Sequence, residues 1–317
     1  MQIDLKQCCM LLATAEDVLI LTHKSPDGDT LGSAYGLYYA LTAIGKRARV
    51  ACSDPLPKKF DYFYPKAPFE DFEPRYIVAV DVADPQLLGS ALQQYAGRID
   101  LCIDHHISNT GYAGQLLLDH HAAATAEVVC EIVNAMGVTL TSQIATALYT
   151  GIATDTGCFR YSNTSAKTHL IASRLIEAGI DLPRINQLLF ETKTRARIAL
   201  ERLGMATLEY SFGQRCATIV LSQEILTRSG AEDEDIDGIS SLPRQIEGVQ
   251  VGVTMRERSE GGYKVSLRAA EGVDASAICK LLGGGGHRAA AGCVVHGTEQ
   301  EAKAQLAGAI ATQLEAL

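Results

Sequence analysis

At 317 residues with 47% hydrophobic content, the chain is long enough for two domains with real cores and is not a disordered polymer. Its net charge of −9 argues against a protein that holds long nucleic acid by phosphate neutralisation alone, while leaving room for a short, locally basic groove. The 9 cysteines are odd in number and form no CxxC pair; several lie in apolar runs (Cys52, Cys102, Cys130), so they read as reduced core thiols of a cytoplasmic protein.

The opening Met1-Gln2-Ile3-Asp4 lacks the basic-then-apolar pattern of a signal peptide, and no run reaches membrane-spanning length. Val18-Leu19-Ile20-Leu21 predicts a buried strand, followed directly by His23-Lys24-Ser25-Pro26-Asp27-Gly28-Asp29. A helical period runs from Leu31 to Ile44 and closes at Gly45. Ala48 to Cys52 predicts the next strand, and Pro55 to Pro74 a surface connection. Tyr76 to Val80 is a strand ending at Asp81, and Leu101-Cys102-Ile103 a strand ending at Asp104-His105-His106. Helices follow over Thr125–Met136, Ser142–Ala153 and Ser165–Ala178, with Asp155 in Gly151-Ile152-Ala153-Thr154-Asp155-Thr156-Gly157.

Strand–helix alternation implies an α/β fold with a mostly parallel sheet, whose ligands bind beyond the carboxyl ends of the strands. Asp27, Asp81 and Asp104 fall there, so they can converge although far apart in sequence. Leu189 to Thr207 looks helical and charged, a connector. Beyond it, Cys216–Leu221, Val249–Met255 and Tyr263–Arg268 are short strands, with helical patterns between them and at Glu299–Leu317. The expected organisation is a catalytic domain over 1–192, a helical connector over 193–209 and a smaller α+β domain over 210–317. Glu232-Asp233-Glu234-Asp235 reads as a solvated loop.

Carboxylates and imidazoles at strand ends suit hard or borderline divalent cations. The first cluster alone is a weak signal, since loops are rich in Asp and Gly. Gly28 adds a tight turn that lets Asp27 and Asp29 address two ions. Asp81 alone reads as a helix cap; Asp104-His105-His106 is more specific. Four acid sites and two histidine sites in an α/β pattern point to a two-metal phosphoesterase. No Ser-His-Asp ordering asks for a nucleophilic mechanism. Gly283-Gly284-Gly285-Gly286, after the helix Ala275–Leu282 and before His287-Arg288, reads as an anion-binding loop. Arg268 is a further phosphate candidate. With no Trp and few other aromatics, a long base-stacking platform is not expected.

Taken together these motifs resemble the DHH phosphoesterase superfamily. His23–Asp29 with Leu31-Gly32-Ser33, Asp81-Val82-Ala83-Asp84, Asp104-His105-His106 and Ala153-Thr154-Asp155-Thr156-Gly157 match its four motifs in order. Gly283 to Gly292 matches the signature of the DHH-associated C-terminal domain. The resemblance covers nearly the whole chain, and the two-domain layout is most similar to stand-alone oligoribonucleases that also dephosphorylate pAp to AMP.

The resemblance implies His23, Asp27 and Asp81 on one metal, with Asp29, Asp81, His105 and Asp155 on the other and Asp81 bridging. It implies that Asp104 orients a histidine and that His106 points to the scissile phosphate. Two Mn²⁺ ions are expected, with Mg²⁺ as the alternative. Arg268, Gly284, Gly285, Gly286, His287 and Arg288 are expected to bind substrate, in a cleft between the domains that limits its length. Ala122-Ala123-Ala124 stands where relatives often carry serines before Thr125-x-Glu127, which touches a peripheral contact. His120 and His121 read as loop residues rather than ligands. The implied partners are short RNA oligonucleotides and pAp, without a membrane or long duplex DNA; a homodimer stays open. Hydrolysis of a cyclic dinucleotide or pApA is the enzymatic alternative, and a non-catalytic nucleotide or RNA-binding module the alternative of another class.

Overall fold

The three central strands of the N-terminal sheet, Val18–Leu21, Tyr76–Val80 and Leu101–Asp104, are short, mostly apolar runs buried on both faces, and that pattern requires helices or turns above and below. The computed structural model describes residues 1–236 and 238–314. The chain divides into two units, Met1–Thr192 and Lys193–Leu317. In the first, β1 (Val18–Leu21), β2 (Ala48–Ala51), β3 (Tyr76–Val80), β4 (Leu101–Asp104) and β5 (Gln115–Leu118) form a parallel sheet of order β2-β1-β3-β4-β5. Val18, Ile20, Val78, Val80 and Ile103 belong to one apolar cluster, Leu19, Leu21, Ile77, Ala79 and Cys102 to another. That alternation is the two-residue period of strands covered on both sides.

Two elements of this unit go beyond the sequence reading. Helix α1 (Leu5–Thr14) opens with a capping box between Asp4 and Gln7. Strand β5 is a run of leucines without β-branching, too short for its period to separate strand from helix. The segment expected as a surface connection instead buries Phe63 against Tyr35 and Phe60 against Phe63, so it contributes to the core.

Helix α2 (Gly28–Ala43) ends as the glycine signal predicts. Ile44 caps it and Gly45 takes the left-handed conformation at φ 78°. The other helices of the unit are α3 (Thr125–Ala135), α4 (Ser142–Asp155), α5 (Ala166–Glu177) and the short α6 (Leu182–Asn186). Gly28, Gly32 and Gly36 recur every fourth residue on α2 and form a seam against α4. A Cβ at Gly32 would collide with the Ala147 carbonyl and the Gly151 backbone. Gly32→Ala is therefore expected to force the two helices apart and cost about 1–3 kcal/mol, read as a lower urea midpoint.

In the second unit α7 (Arg195–Met205) is capped by Thr194. The expected continuous helix from Leu189 is interrupted, because a π-turn at Gln187–Glu191 leads into extended backbone at Thr192. Leu200 of α7 packs with Ile219, Leu221 and Ile239, so the expected connector is part of this unit's core. The sheet consists of β6 (Glu209–Ser211), β7 (Cys216–Leu221), β8 (Val251–Glu257), β9 (Tyr263–Ala269), β10 (Gly285–Gly286) and β11 (Ala290–Val295), in the order β10-β11-β9-β8-β7-β6. Only β7 and β8 run parallel among the described pairings. The opposite face is covered by α10 (Ala275–Lys280) and α11 (Glu299–Leu314); the end of the expected final helix, residues 315–317, lies outside the described residues. Helix α8 (Gln223–Ser229) precedes the acidic run. That run is not a loop: Asp233–Ile236 forms one helical turn, α9, with Asp235 accepting from Thr194 and Asp233 pairing with Arg256. No helix among the described residues is long and apolar enough to cross a membrane.

Candidate metal centre

The carboxyl ends of β1, β3 and β4 lie side by side in the sheet, and each delivers its polar cluster to the same edge. Asp27 is the N-cap of α2, its Oδ1 accepting from the amides of Asp29 at 3.0 Å and Thr30 at 3.1 Å. Asp29 is thereby fixed in the first helical turn, where the helix dipole favours an anion. Gly28 works by a different route from the tight turn expected of it. It is the first helical residue, and Thr154 of α4 lies where a Cβ would be. The same contact brings Asp155, the last residue of α4, toward α2.

Asp81 sits at φ 60° on leaving β3, a left-handed conformation that costs a residue with a Cβ about 1–2 kcal/mol. Its amide donates to the Ile103 carbonyl, and its carboxylate is turned into the centre. Asp104, fully buried, accepts at Oδ1 from the amides of His105 and His106 and from His106 Nδ1 at 2.8 Å. Its Oδ2 accepts from Asn109 Nδ2 at 2.6 Å.

Three groupings of donor atoms result, each spanning no more than 4.8 Å: His23, Asp27 and Asp81; Asp29, His105 and Asp155; Asp81, His105 and His106. His23 Nε2 lies 3.6 Å from Asp27 and 3.7 Å from Asp81. His105 Nε2 lies 3.9 Å from Asp29, 3.8 Å from Asp81 and 3.7 Å from Asp155. All six sequence-nominated ligand residues therefore come together, with Asp81 and His105 shared between groupings. His120 and His121 lie ring to ring at 4.0 Å, tilted by 43°, in the turn after β5 and belong to none of the groupings.

The electrostatics fit a cation. His23 Nδ1 contacts the Lys24 carbonyl at 2.8 Å, and His105 Nδ1 the Ala122 carbonyl at 3.1 Å. A carbonyl only accepts, so each Nδ1–H donates to it and each Nε2 faces carboxylate oxygens. That arrangement needs a proton or a metal ion between them. Burial and the charges of Asp29, Asp27 and Asp104 hold Asp81 well above the usual carboxylate range. Burial likewise raises Asp29, and burial with Asp29 pushes Asp155 up to about 8. Divalent cations would relieve this repulsion and supply what the donor set suits, mixed imidazole and carboxylate ligation. His106 is raised by its hydrogen bond to Asp104.

Three contacts escaped the sequence reading: Asn109 on Asp104, Asn163 Nδ2 on the carbonyls of Ala123 and Asp155, and Thr125 on Asp29 and Asp81. Only Thr125 carried a signal, as the Thr-x-Glu step preceding a helix.

The nominated substrate residues gather within the second unit. Arg268 on β9 is opposite Ala290 on β11, and the Ala269 amide donates to the Ala289 carbonyl. The glycine run is not an open loop. Gly285 and Gly286 pair with Gly292 and Ala291 as β10, and a Cβ on Gly284 or Gly286 would strike β11. Close backbone approach is what glycine supplies here. His287 and Arg288 form the exposed turn between the two strands.

Residues 17–152 match the family described as DHH family, N-terminal domain, and residues 216–314 the DHHA1 domain. A bifunctional oligoribonuclease and PAP phosphatase NrnA from Thermus thermophilus is 37% identical over 298 residues, covering 92% of this chain and 87% of that protein. The cyclic-di-AMP phosphodiesterase GdpP from Geobacillus thermodenitrificans is 26% identical, covering 95% of this chain but 48% of that protein. Among solved structures, an exopolyphosphatase-related protein from Bacteroides fragilis superposes with a TM-score of 0.89 at 23% identity, covering 98% of this chain and 96% of that one.

Proposed function

Because this chain belongs to the DHH family and pairs its DHH domain with a DHHA1 domain, we propose that it is a metal-dependent phosphohydrolase that cleaves short oligoribonucleotides to mononucleotides and dephosphorylates pAp to AMP. The observation that carries the metal centre is the pair of histidines whose Nδ1 atoms are spent on carbonyls while Nε2 faces buried carboxylates. The substrate class rests on the Thermus relative, matched over most of both chains. A relative matched over about half its length, the cyclic-di-AMP enzyme, gives the alternative less support.

In this reading His23, Asp27 and Asp81 hold one cation and Asp29, Asp81, His105 and Asp155 the other, Mn²⁺ before Mg²⁺. Bound there, two divalent ions would supply Lewis-acid polarisation of the phosphoryl oxygens and a more acidic water. The chain's own groups do the rest. Asp104 keeps the His106 proton on Nδ1 and favours the imidazolium, whose Nε2–H would donate to a phosphoryl oxygen as negative charge builds there. Arg268, the Gly284, Gly285 and Gly286 stretch leading into the hairpin, and the exposed His287-Arg288 turn would hold a substrate phosphate. Residues 1–192 would carry catalysis, 193–209 a helical connector packed into the second unit's core, and 210–317 substrate binding, in a cytoplasmic protein. Nine free thiols among the described residues support that last assignment.

A manganese-supplemented assay with pAp, a ribodinucleotide, cyclic di-AMP, pyrophosphate and a length series of single-stranded RNA tests this. We expect turnover of pAp and of the dinucleotide. For RNA of two to five residues kcat/KM should exceed that for a twenty-mer by at least about tenfold, or ~1.4 kcal/mol, since each added phosphate needs charge that an acidic protein lacks. Equal efficiency on the long strand would indicate a processive exonuclease; cyclic di-AMP as the best substrate would favour the alternative.

A further inference from the structure

Helix α3 begins without a cap of its own. Ala124 occupies the N-cap position and offers no side-chain acceptor, so the first amides of the helix must find one elsewhere. They find Asp29, nearly a hundred residues away in the chain: Thr125 N–H donates to Oδ2 at 2.7 Å and Ala126 N–H to Oδ1 at 2.9 Å. The Thr125 hydroxyl donates in turn to Asp81 Oδ1 at 2.8 Å. A single non-ionisable residue, fully buried, thus touches a carboxylate from each of two groupings.

Both contacts restrict where lone pairs point. A carboxylate oxygen has two acceptor directions, and a donor fixed in one of them leaves the other for a cation. Asp81 is held from both ends, by its left-handed backbone and by the Thr125 hydroxyl. Without that hydroxyl the carboxylate is free to rotate about its last bond, and a shared ligand loses the orientation it needs for two neighbours. Groups that orient metal ligands in this way typically change metal affinity 10–100-fold when removed.

We propose that Thr125 is a positioning residue of the metal centre, its hydroxyl setting Asp81 and its amide setting Asp29 for cation binding. This rests on the metal reading of the site. Because Thr125 is buried, the proposal needs no contact with substrate, and its effect is read in binding of the metal alone.

The test titrates Mn²⁺ into the metal-free full-length protein by calorimetry, with free Mn²⁺ counted by electron paramagnetic resonance, for the wild type, Thr125→Val, Thr125→Ala and Thr125→Ser. Thermal melts in chelator run alongside. The expected result is 10–100-fold weaker Mn²⁺ binding in Val and Ala, with Ser within about threefold of wild type. Ser and Ala both lack the methyl group, so their difference reports the hydroxyl even if the Val variant does not fold. Mn²⁺ binding by Ala or Val within threefold of wild type overturns the proposal, as does a Ser variant as weak as Ala, which would assign the loss to packing. A wild type that binds no Mn²⁺ overturns the metal reading itself, an outcome distinct from both.

Discussion

Replacing Asp81 with Asn is expected to reduce hydrolysis of every substrate to below about 0.1% of wild type, a loss of at least ~4 kcal/mol of transition-state stabilisation. The substitution keeps the shape of the side chain and an oxygen for Thr125 to bond, but removes the charge that two groupings share. Its effect should therefore appear in kcat and not in KM alone. Asp27, Asp29 and Asp155 should behave similarly. Chelation should silence the wild type and Mn²⁺ should restore it. Full turnover by metal-free protein would remove the two-metal mechanism from consideration.

The second large effect is on stability. A carboxyl raised in the folded state favours folding while protonated; that contribution is complete below its ordinary value of 3.8 and is lost as pH climbs toward the folded value. For Asp155 the loss runs from about 4 up to about 8, and Asp81 and Asp29 act in the same sense. His23, where Asp27 outweighs the downward pull of burial, and His106 are also raised, so their contribution likewise fades as pH rises above their ordinary value. Asp104 runs the other way, since its hydrogen bonds to His106 and Asn109 outweigh burial and hold it low, but it is fully ionised above pH 5.5 and adds no slope there.

Metal-free protein should therefore melt at a lower temperature at pH 8 than at pH 5.5. Mn²⁺ at roughly 100 times its dissociation constant adds about 2.7 kcal/mol per site, or roughly 5–10 °C in Tm for a unit of this size. At pH 5.5 the ion must displace protons, so the gain should be smaller. Melting curves in chelator and in Mn²⁺ at both values decide the matter. An equal gain at the two pH values would mean that the ion is not competing with these carboxyl protons.

How much of this was legible in the residues depends on whether a feature is local. Val18–Leu21 and Tyr76–Val80 are apolar runs with polar ends, and their bounds agree between sequence and structure. The convergence of Asp27, Asp81 and Asp104 followed from parallel strand order, a rule of topology rather than of any residue. Strand β5 was hidden because four residues rich in leucine have no decisive period. The β10 pairing was hidden because glycine carries no side-chain pattern, so a paired edge and an open loop look alike. Asn109 and Asn163 have no signature at all: what defines them is which backbone or carboxylate oxygen lies within reach, and only the tertiary structure supplies that.

The glycine seam between α2 and α4 has a bearing on ion choice. Asp27 and Asp29 stand at the start of one helix and Asp155 at the end of the other, so the gap between their carboxylates is set by how closely the two backbones approach. At Gly28 and Gly32 a Cβ would meet Thr154, the Ala147 carbonyl and the Gly151 backbone, so that approach depends on the missing side chains. The seam is a ruler made of main chain. Side-chain rotamers would fine-tune a cation site there, but the spacing of its carboxylates follows the helix spacing, and a single methyl group on α2 would change it.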